Sequence, residues 1–287
     1  MTDTSEAGRS AEPVREAVTE AVAEAVAEAV AEAVAEADDA AVLEAPAFAE
    51  GAGVAVVRWH AALDSTMDEA HRLAHGGAPA GTVVVADRQQ QGRGRAGRAW
   101  ASAAGAGVWV TLVERPADAA ALGVLSLRLG LALAAVLEPY TTGPVQVKWP
   151  NDLLVAGGKL AGILVEARWR GAQVEWVAVG VGVNRRVPEA VPVPSATVRP
   201  AVSRATLLTA MLPAMRTACA ATGALTPAEL TAWRARDALQ GRRVEAPEAG
   251  EVVGVSVSGA LLVRRASGVL VPVVQGSVRL ATAVLQE

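Results

Sequence analysis

Four apolar, β-branched runs follow one another between residues 145 and 184, with almost no chain left between them. They read VQVKW (145–149), DLLVA (152–156), KLAGILVEARW (159–169) and VEWVAVGVGVN (174–184), parted by Pro-Asn, Gly-Gly and RGAQ turns. Parallel neighbours need crossover connections of about a dozen residues or more, so turns this short can only join antiparallel hairpins. The chain is thereby bound to a largely antiparallel sheet, and its remaining segments must pack on or extend that sheet.

Upstream, GTVVVAD (81–87) and GVWVTLV (107–113) read as two further buried strands. DSTMDEAHRLAHGG (64–77) has helix signals: Asp64 or Ser65 as cap, Asp68 and Glu69 in the first turn, Gly76-Gly77 at the end. Residues 118–140 form a long helix that is apolar on most faces, as expected of a buried one. A helix over 203–222 presents Leu207, Leu208, Met211, Leu212, Met215 and Cys219 on one side, and Pro213 should kink it. Another helix spans 226–238. Short strands at 242–246, 251–257, 259–264, 268–274 and 277–282, with Gly-containing turns, suggest a small closed barrel.

Residues 17–36 repeat with a period of four, AVTEAVAEAVAEAVAEAVAE. A 3.6-residue turn carries each Val about 40° past the last, so no fixed apolar stripe builds up, and the Glu residues at i,i+4 repel mildly. A fraying helix or disordered tail is expected, followed by a linker, EAPAFAEGAG. The expected organisation is tail and linker over 1–50, a catalytic domain over 51–239 and a C-terminal barrel over 240–287. Deleting residues 1–45 should then leave the melting temperature unchanged.

The whole chain carries a net charge of −4, which gives no global pull toward nucleic acid or membrane. One cysteine in 287 residues excludes an intrachain disulfide framework and a thiolate zinc site. Residues 1–12 are polar and acidic, unlike a secretory signal, and no uninterrupted apolar run reaches transmembrane length. A cytoplasmic protein is the expectation. His60, His71 and His75 show no second-ligand set and read as surface residues, and Cys219 reads as core.

Against this background QQQGRGRAGRAW (89–100) stands out. It contains a formal G-x-G-x-x-G at Gly92, Gly94 and Gly97, but a dinucleotide turn needs a helix next, and RAWASAAGAG runs into another strand. Arg93, Arg95 and Arg98 give the loop a local charge of +3 beside Trp100. A glycine-loosened cationic loop suits closure over a polyanion: guanidinium forks match phosphate or carboxylate, and the indole offers a face to a base. Lys148, Asn151 and Asp152 lie around the next tight turn, and Lys159 opens the following strand. Gly180 and Gly182 inside a strand weaken it unless something approaches the backbone closely, and a flat ring is a natural candidate.

GRGRAGRAW, KWPNDLLV, GKLAGILVE and VGVGVN, in this order, resemble the biotin protein ligase family over residues 57–287. The resemblance implies an α+β fold, a seven-stranded mixed sheet flanked by helices (the class II synthetase-like fold) with a C-terminal SH3-like β-barrel. It implies an enzyme that joins biotin to AMP from MgATP and passes the biotinyl group to a lysine of a biotin carboxyl carrier protein. It further implies that Ser65 and Thr66 bind biotin's ureido ring, and that Gln89, Arg93, Gly94 and Arg95 contact biotin or its adenylate. Lys159 would lie at the carboxylate and α-phosphate and, with Arg95, carry the catalysis. Gly180 and Gly182 would line the biotin pocket. Arg98, Trp100, Asn151 and Asn184 would serve the nucleotide, and Asp152 the Mg²⁺–phosphate region.

Two departures stand against the family pattern. Met67 replaces the Asn of the common STN, and Ala96 replaces an arginine of the common GRGRRGR. Residues 1–56 show no two-helix turn and no basic recognition helix, so a ligase without the DNA-binding domain of some members is expected. No DNA or membrane partner is expected, and the chain should be a monomer or weak homodimer. A lipoate–protein ligase of the same fold is the alternative enzyme. A non-catalytic relative would lack Lys159 or the loop arginines.

Overall fold

A computed structural model describes residues 41–188 and 193–281. The Ala/Val/Glu repeat lies outside the described residues. The linker expected after it does not run as a linker. Helix α1 (Pro46–Gly51) starts on a proline at its first position, where the missing N–H costs nothing. Its Ala49, and Leu43 just before it, are buried in the main core. Deleting residues 1–45 is therefore expected to lower the melting temperature. Losing a fully buried leucine typically costs about 2–5 kcal/mol, and a thermal melt of the truncated chain would read it. An unshifted melt would mean that Leu43 contributes nothing.

The central sheet has seven strands in the order β1-β2-β3-β7-β6-β5-β4. They are β1 (Val56–Leu63), β2 (Thr82–Gln89), β3 (Gly107–Glu114), β4 (Val145–Lys148), β5 (Asp152–Val155), β6 (Gly158–Arg170) and β7 (Gln173–Asn184). The four runs from residue 145 onward form the expected hairpins, with β4–β5, β5–β6 and β6–β7 all antiparallel. Strand β7 also pairs antiparallel with β3, which pairs antiparallel with β2. Only β1 on β2 is parallel, which makes the sheet mixed.

Strand alternation gives the sheet two faces. On one, Val108, Val110, Leu112, Val177, Val179, Val181 and Ile163 join the large core beneath α3 (Leu122–Leu137) and α4 (Arg204–Ala220). On the other, Val84, Val113 and Ala178 pack under α2 (Thr66–His75) through Met67, Ala70 and Ala74. The site forms on this second face. The stretch Ala119–Tyr140 containing α3 is long and apolar enough to cross a membrane by length and composition, although Arg128 interrupts its apolar run. Here it is a core helix. Its buried Arg128 is satisfied by Glu229 at 2.6 Å and by carbonyls of residues 222–224. Helix α4 continues through Pro213, which sits on its exposed side. Helix α5 (Pro227–Arg236) starts on a Thr226/Glu229 capping box.

Five later strands form a second, antiparallel sheet: β8 (Arg243–Ala246), β9 (Gly250–Val255), β10 (Leu261–Arg264), β11 (Leu270–Val273) and β12 (Arg279–Leu280). Their order is β11-β10-β9-β8-β12, consistent with an SH3-like domain. The closed barrel expected from strand count does not form among the described residues, because β11 and β12 remain edge strands that do not pair with each other. Cys219 is a core residue, and burial pushes its thiol up to about 12 from an ordinary 9.0. At pH 8 the native chain should hold about 10³-fold less thiolate than the unfolded one, and iodoacetamide should label it only after denaturation. Fast native labelling seen by intact mass would contradict that burial.

Candidate functional site

A cavity of about 650 Å³ opens on the α2 face of the sheet. Every residue expected to serve biotin or the nucleotide lines it: Ser65, Thr66, Gln89, Arg93, Gly94, Arg95, Arg98, Trp100, Asn151, Asp152, Lys159, Gly180, Gly182 and Asn184. Their convergence follows from topology. Helix α2 supplies its N-terminus, the ends of β2 and β3 supply the loop between them, and the β4–β7 hairpins supply the floor and the far wall.

The floor is made of glycine for a visible reason. A Cβ on Gly182 would stand 2.6 Å from the Trp100 indole, and one on Gly162 would stand 2.8 Å from the same ring. A Cβ on Gly180 would meet Met67 Cε at 2.8 Å. Trp100, expected on the nucleotide side, thus lies on the same floor as the glycines expected to hold biotin. Its ring meets Trp109 edge-on, with Lys159 Nζ 4.8 Å from its centroid. Met67 is no solvent-facing substitution: it is buried and bridges the α2 core and the floor.

At the closed end, the Gln89 side chain is the hub. Its Oε1 accepts from the Thr66 N–H at 2.8 Å and the Thr66 hydroxyl at 3.0 Å, while its Nε2 donates to Ser102 Oγ at 2.8 Å. Thr111 Oγ1 donates to Thr66 Oγ1 at 2.9 Å from the sheet below. Ser65 is buried at the N-cap position but makes no capping bond with its side chain. Thr111 escaped sequence reading, although it is the lone hydroxyl in the apolar strand GVWVTLV, a signal for a buried polar function.

The Gly-Arg loop is a tight hairpin. Gly94 N–H donates to Arg98 O at 2.7 Å, Trp100 N–H donates to Gly92 O at 2.8 Å, and Arg93 bridges Ala99. Ala96 takes the left-handed region, at φ 55°, which is unfavourable for any residue with a Cβ. Arg95 is half-buried. Burial first, and then the neighbouring Arg98, hold its guanidinium below the usual arginine range, with Asp152 partly offsetting. Its hydrogen bond goes to a neutral partner, Asn151 Oδ1, at 3.4 Å.

Lys159 pairs with Asp152 at 2.8 Å. Its backbone is pinned by bonds to Pro194 O and from Ala196 N, and by the Asn184 amide on its carbonyl at 2.9 Å. Asn151 likewise donates to Ile163 O at 2.8 Å, so both asparagine amides also brace the site's own backbone. Asp152 is the lone carboxylate in the described lining, which also holds six cations: Arg93, Arg95, Arg98, Lys148, Lys159 and Arg242. Arg242, from the start of the C-terminal region, gave no sequence signal. No group of three or more metal-ligating side chains occurs among the described residues.

His71 corrects the surface reading. It is half-buried, bonded through Nε2 to Glu166 at 3.0 Å and through Nδ1 to the Trp176 N–H at 2.9 Å. His75 is exposed, as expected.

Residues 59–184 match the Biotin/lipoate A/B protein ligase family. The bifunctional ligase/repressor BirA of Bacillus subtilis is 43% identical over 128 residues, covering 44% of this chain and 39% of that protein. The biotin–[acetyl-CoA-carboxylase] ligase of Paracoccus denitrificans is 47% identical over 130 residues, covering 43% of this chain and 52% of that protein. The matched region is thus well under two thirds of either relative's length. A solved biotin protein ligase from Aquifex aeolicus, in complex with biotin and ATP, superposes with a TM-score of 0.63 at 25% identity. That superposition covers 78% of this chain and 99% of the other.

Proposed function

We propose that this chain, whose residues 59–184 match the Biotin/lipoate A/B protein ligase family, is a cytoplasmic biotin protein ligase that adenylates biotin and transfers it to a lysine of a biotin carboxyl carrier protein. One observation carries the reading: a glycine-floored slot closed by a hydroxyl–amide hub opens onto a cluster of cations, in a chain whose net charge is −4. A flat, neutral ring with a carboxylate tail fits such a slot, and the cation cluster fits a triphosphate.

In the first step a biotin carboxylate oxygen bonds to the α-phosphorus of ATP, the bond from that phosphorus to the β-phosphate bridge breaks, and pyrophosphate leaves. Two anions must meet. Lys159, fixed before substrate arrives, and Arg95, carried in by the loop, offset that repulsion and the charge that develops in the transition state. In the second step the carrier lysine, as a free amine, attacks the acyl carbon, AMP leaves, and an amide remains. The acyl phosphate hydrolyses readily, so Arg93–Arg98 must cover it and exclude water.

Ser65, Thr66 and Gln89 would hold the ring's polar edge, with Gly180 beneath it. The Trp100 ring, seated on Gly162 and Gly182, would wall the slot on the side of the nucleotide. Arg98, Asn151 and Asn184 would face the nucleotide. The donor set suits a Mg²⁺ that arrives on ATP: magnesium commonly takes one or two carboxylates plus phosphate oxygens, and Asp152 offers one. The ion would neutralise phosphate charge.

The test is to incubate the chain with MgATP and a biotin carboxyl carrier domain, supplying either biotin or lipoate, and to read the carrier's intact mass. A gain of one biotinyl group is expected. Labelling with lipoate alone would make the chain a lipoate ligase, and labelling with neither would overturn the proposal.

A further inference from the structure

Glu166 closes the motif that Lys159 begins, yet the proposed chemistry gives it no task. On β6 it shares the cavity face with Gly162 and Leu164, one step beyond the lining. Its Oε2 accepts from His71 Nε2 at 3.0 Å and lies 3.5 Å from Arg93 Nη2. Arg93 also pairs with Asp68, in the first turn of α2, at 2.6 Å. An indole N–H can only donate, so Trp176 obliges His71 Nδ1 to accept. The neutral ring then carries its proton on Nε2, aimed at Glu166. Five side chains from β7, α2, β6 and the loop are thus linked in series: Trp176, His71, Glu166, Arg93 and Asp68. The same bond from His71, and then the charge of Arg93, hold the Glu166 carboxyl below the usual range against its burial.

We propose that Glu166 and His71 are positioning residues, a polar anchor on the sheet that fixes Arg93 at the root of the Gly-Arg loop so that Gly94–Arg98 closes from a defined hinge. The proposal deepens the biotin ligase reading and rests on it for its consequence in catalysis. An exposed arginine–carboxylate pair alone is weak. Here the carboxylate is oriented by a histidine that is itself oriented, and the arginine is shared between two acids, so less freedom is lost when the loop closes.

Glu166→Gln in the full chain keeps the side-chain shape and removes the charge. Two readouts are expected to move about 3–10-fold, the range for losing one partly exposed charge-assisted bond. The first needs no biotin: tryptic cleavage after Arg95 and Arg98 in the ligand-free chain, followed by mass spectrometry, should quicken as loop opening grows more frequent. The second is escape of the biotinyl adenylate, read as labelling of a non-acceptor protein, with the single-turnover rate of pyrophosphate release at saturating biotin little changed.

His71→Leu should reproduce both effects. His71→Gln, which can still donate to Glu166 and accept from Trp176, should restore both toward wild type. Unchanged cleavage in Glu166→Gln and His71→Leu would overturn the anchor. So would a loss of melting temperature and of all rates in step, because that would mark a merely structural role. Faster cleavage in a chain whose wild type transfers no biotin would leave the anchor standing and overturn the ligase reading instead.

Discussion

Lys159→Ala is expected to slow adenylate formation by about 10²–10³, the typical cost of removing one preorganised charge from a transition state, while weakening biotin binding far less. Lys159 has little freedom to move. Its own carbonyl is held by Asn184 at 2.9 Å, its N–H by Pro194, and its ammonium lies between Asp152 at 2.8 Å and the Trp100 face at 4.8 Å from the centroid. Such a group stabilises developing charge with no reorganisation at the moment of reaction. In the ground state the carboxylate is singly charged and has other cations near it, so binding depends on Lys159 less than the chemistry does. Single-turnover pyrophosphate release and biotin affinity should therefore separate. Removing the lysine also strands Asp152 in the lining, so the double variant Lys159→Ala/Asp152→Asn belongs in the experiment: it removes the stranded charge without restoring the cation. Recovery of the rate in the double variant, or equal losses of rate and affinity in the single one, would refute the role given to Lys159.

Much of this site is legible in the sequence because its parts lie on hairpins. Short turns force antiparallel neighbours, and alternation then puts Gly162, Gly180 and Gly182 on one face with Lys159 at a strand mouth. The illegible parts depend on partners distant in the chain. Strand β1 gives no local signal, because VVRWHAAL mixes polar and apolar residues without period, and it exists by pairing with β2 at a sheet edge. The His71–Glu166 bond joins residues 95 apart, and no local pattern announces it. The short helix at Pro46 does have a start signal, but its alanine-rich context reads as linker. The closed barrel fails because counting strands says nothing about whether the first and last meet. The seat of Trp100 is equally non-local, because it follows from three glycines. Two leave the floor open beneath its ring, and Gly92 lets the loop backbone pass within 2.5 Å of where its Cβ would stand.

Arg95→Gly should let the finished adenylate escape about ten- to a hundredfold faster while adenylate is still made. Arg95 is charged at a price: burial and Arg98 both disfavour its guanidinium, and its partner at 3.4 Å is a neutral amide oxygen. An anion arriving there relieves that penalty, so the contact strengthens when the adenylate forms and resists its departure. One lost charge-assisted hydrogen bond weakens the closed loop by about 1.5–3 kcal/mol, and each ~1.4 kcal/mol is tenfold in release. Synthesis suffers less, because Lys159 remains at the reacting atoms. The escaping species is an acylating agent that needs no docking surface, and it should biotinylate lysines at random. Mutant chain, biotin and MgATP are mixed with a protein that is not an acceptor, adenylate is quantified after quenching, and the bystander is probed for biotin. Bystander labelling at the wild-type level, with adenylate still produced, would show that Arg95 does not retain the intermediate and that closure of the Gly-Arg loop rests on other contacts.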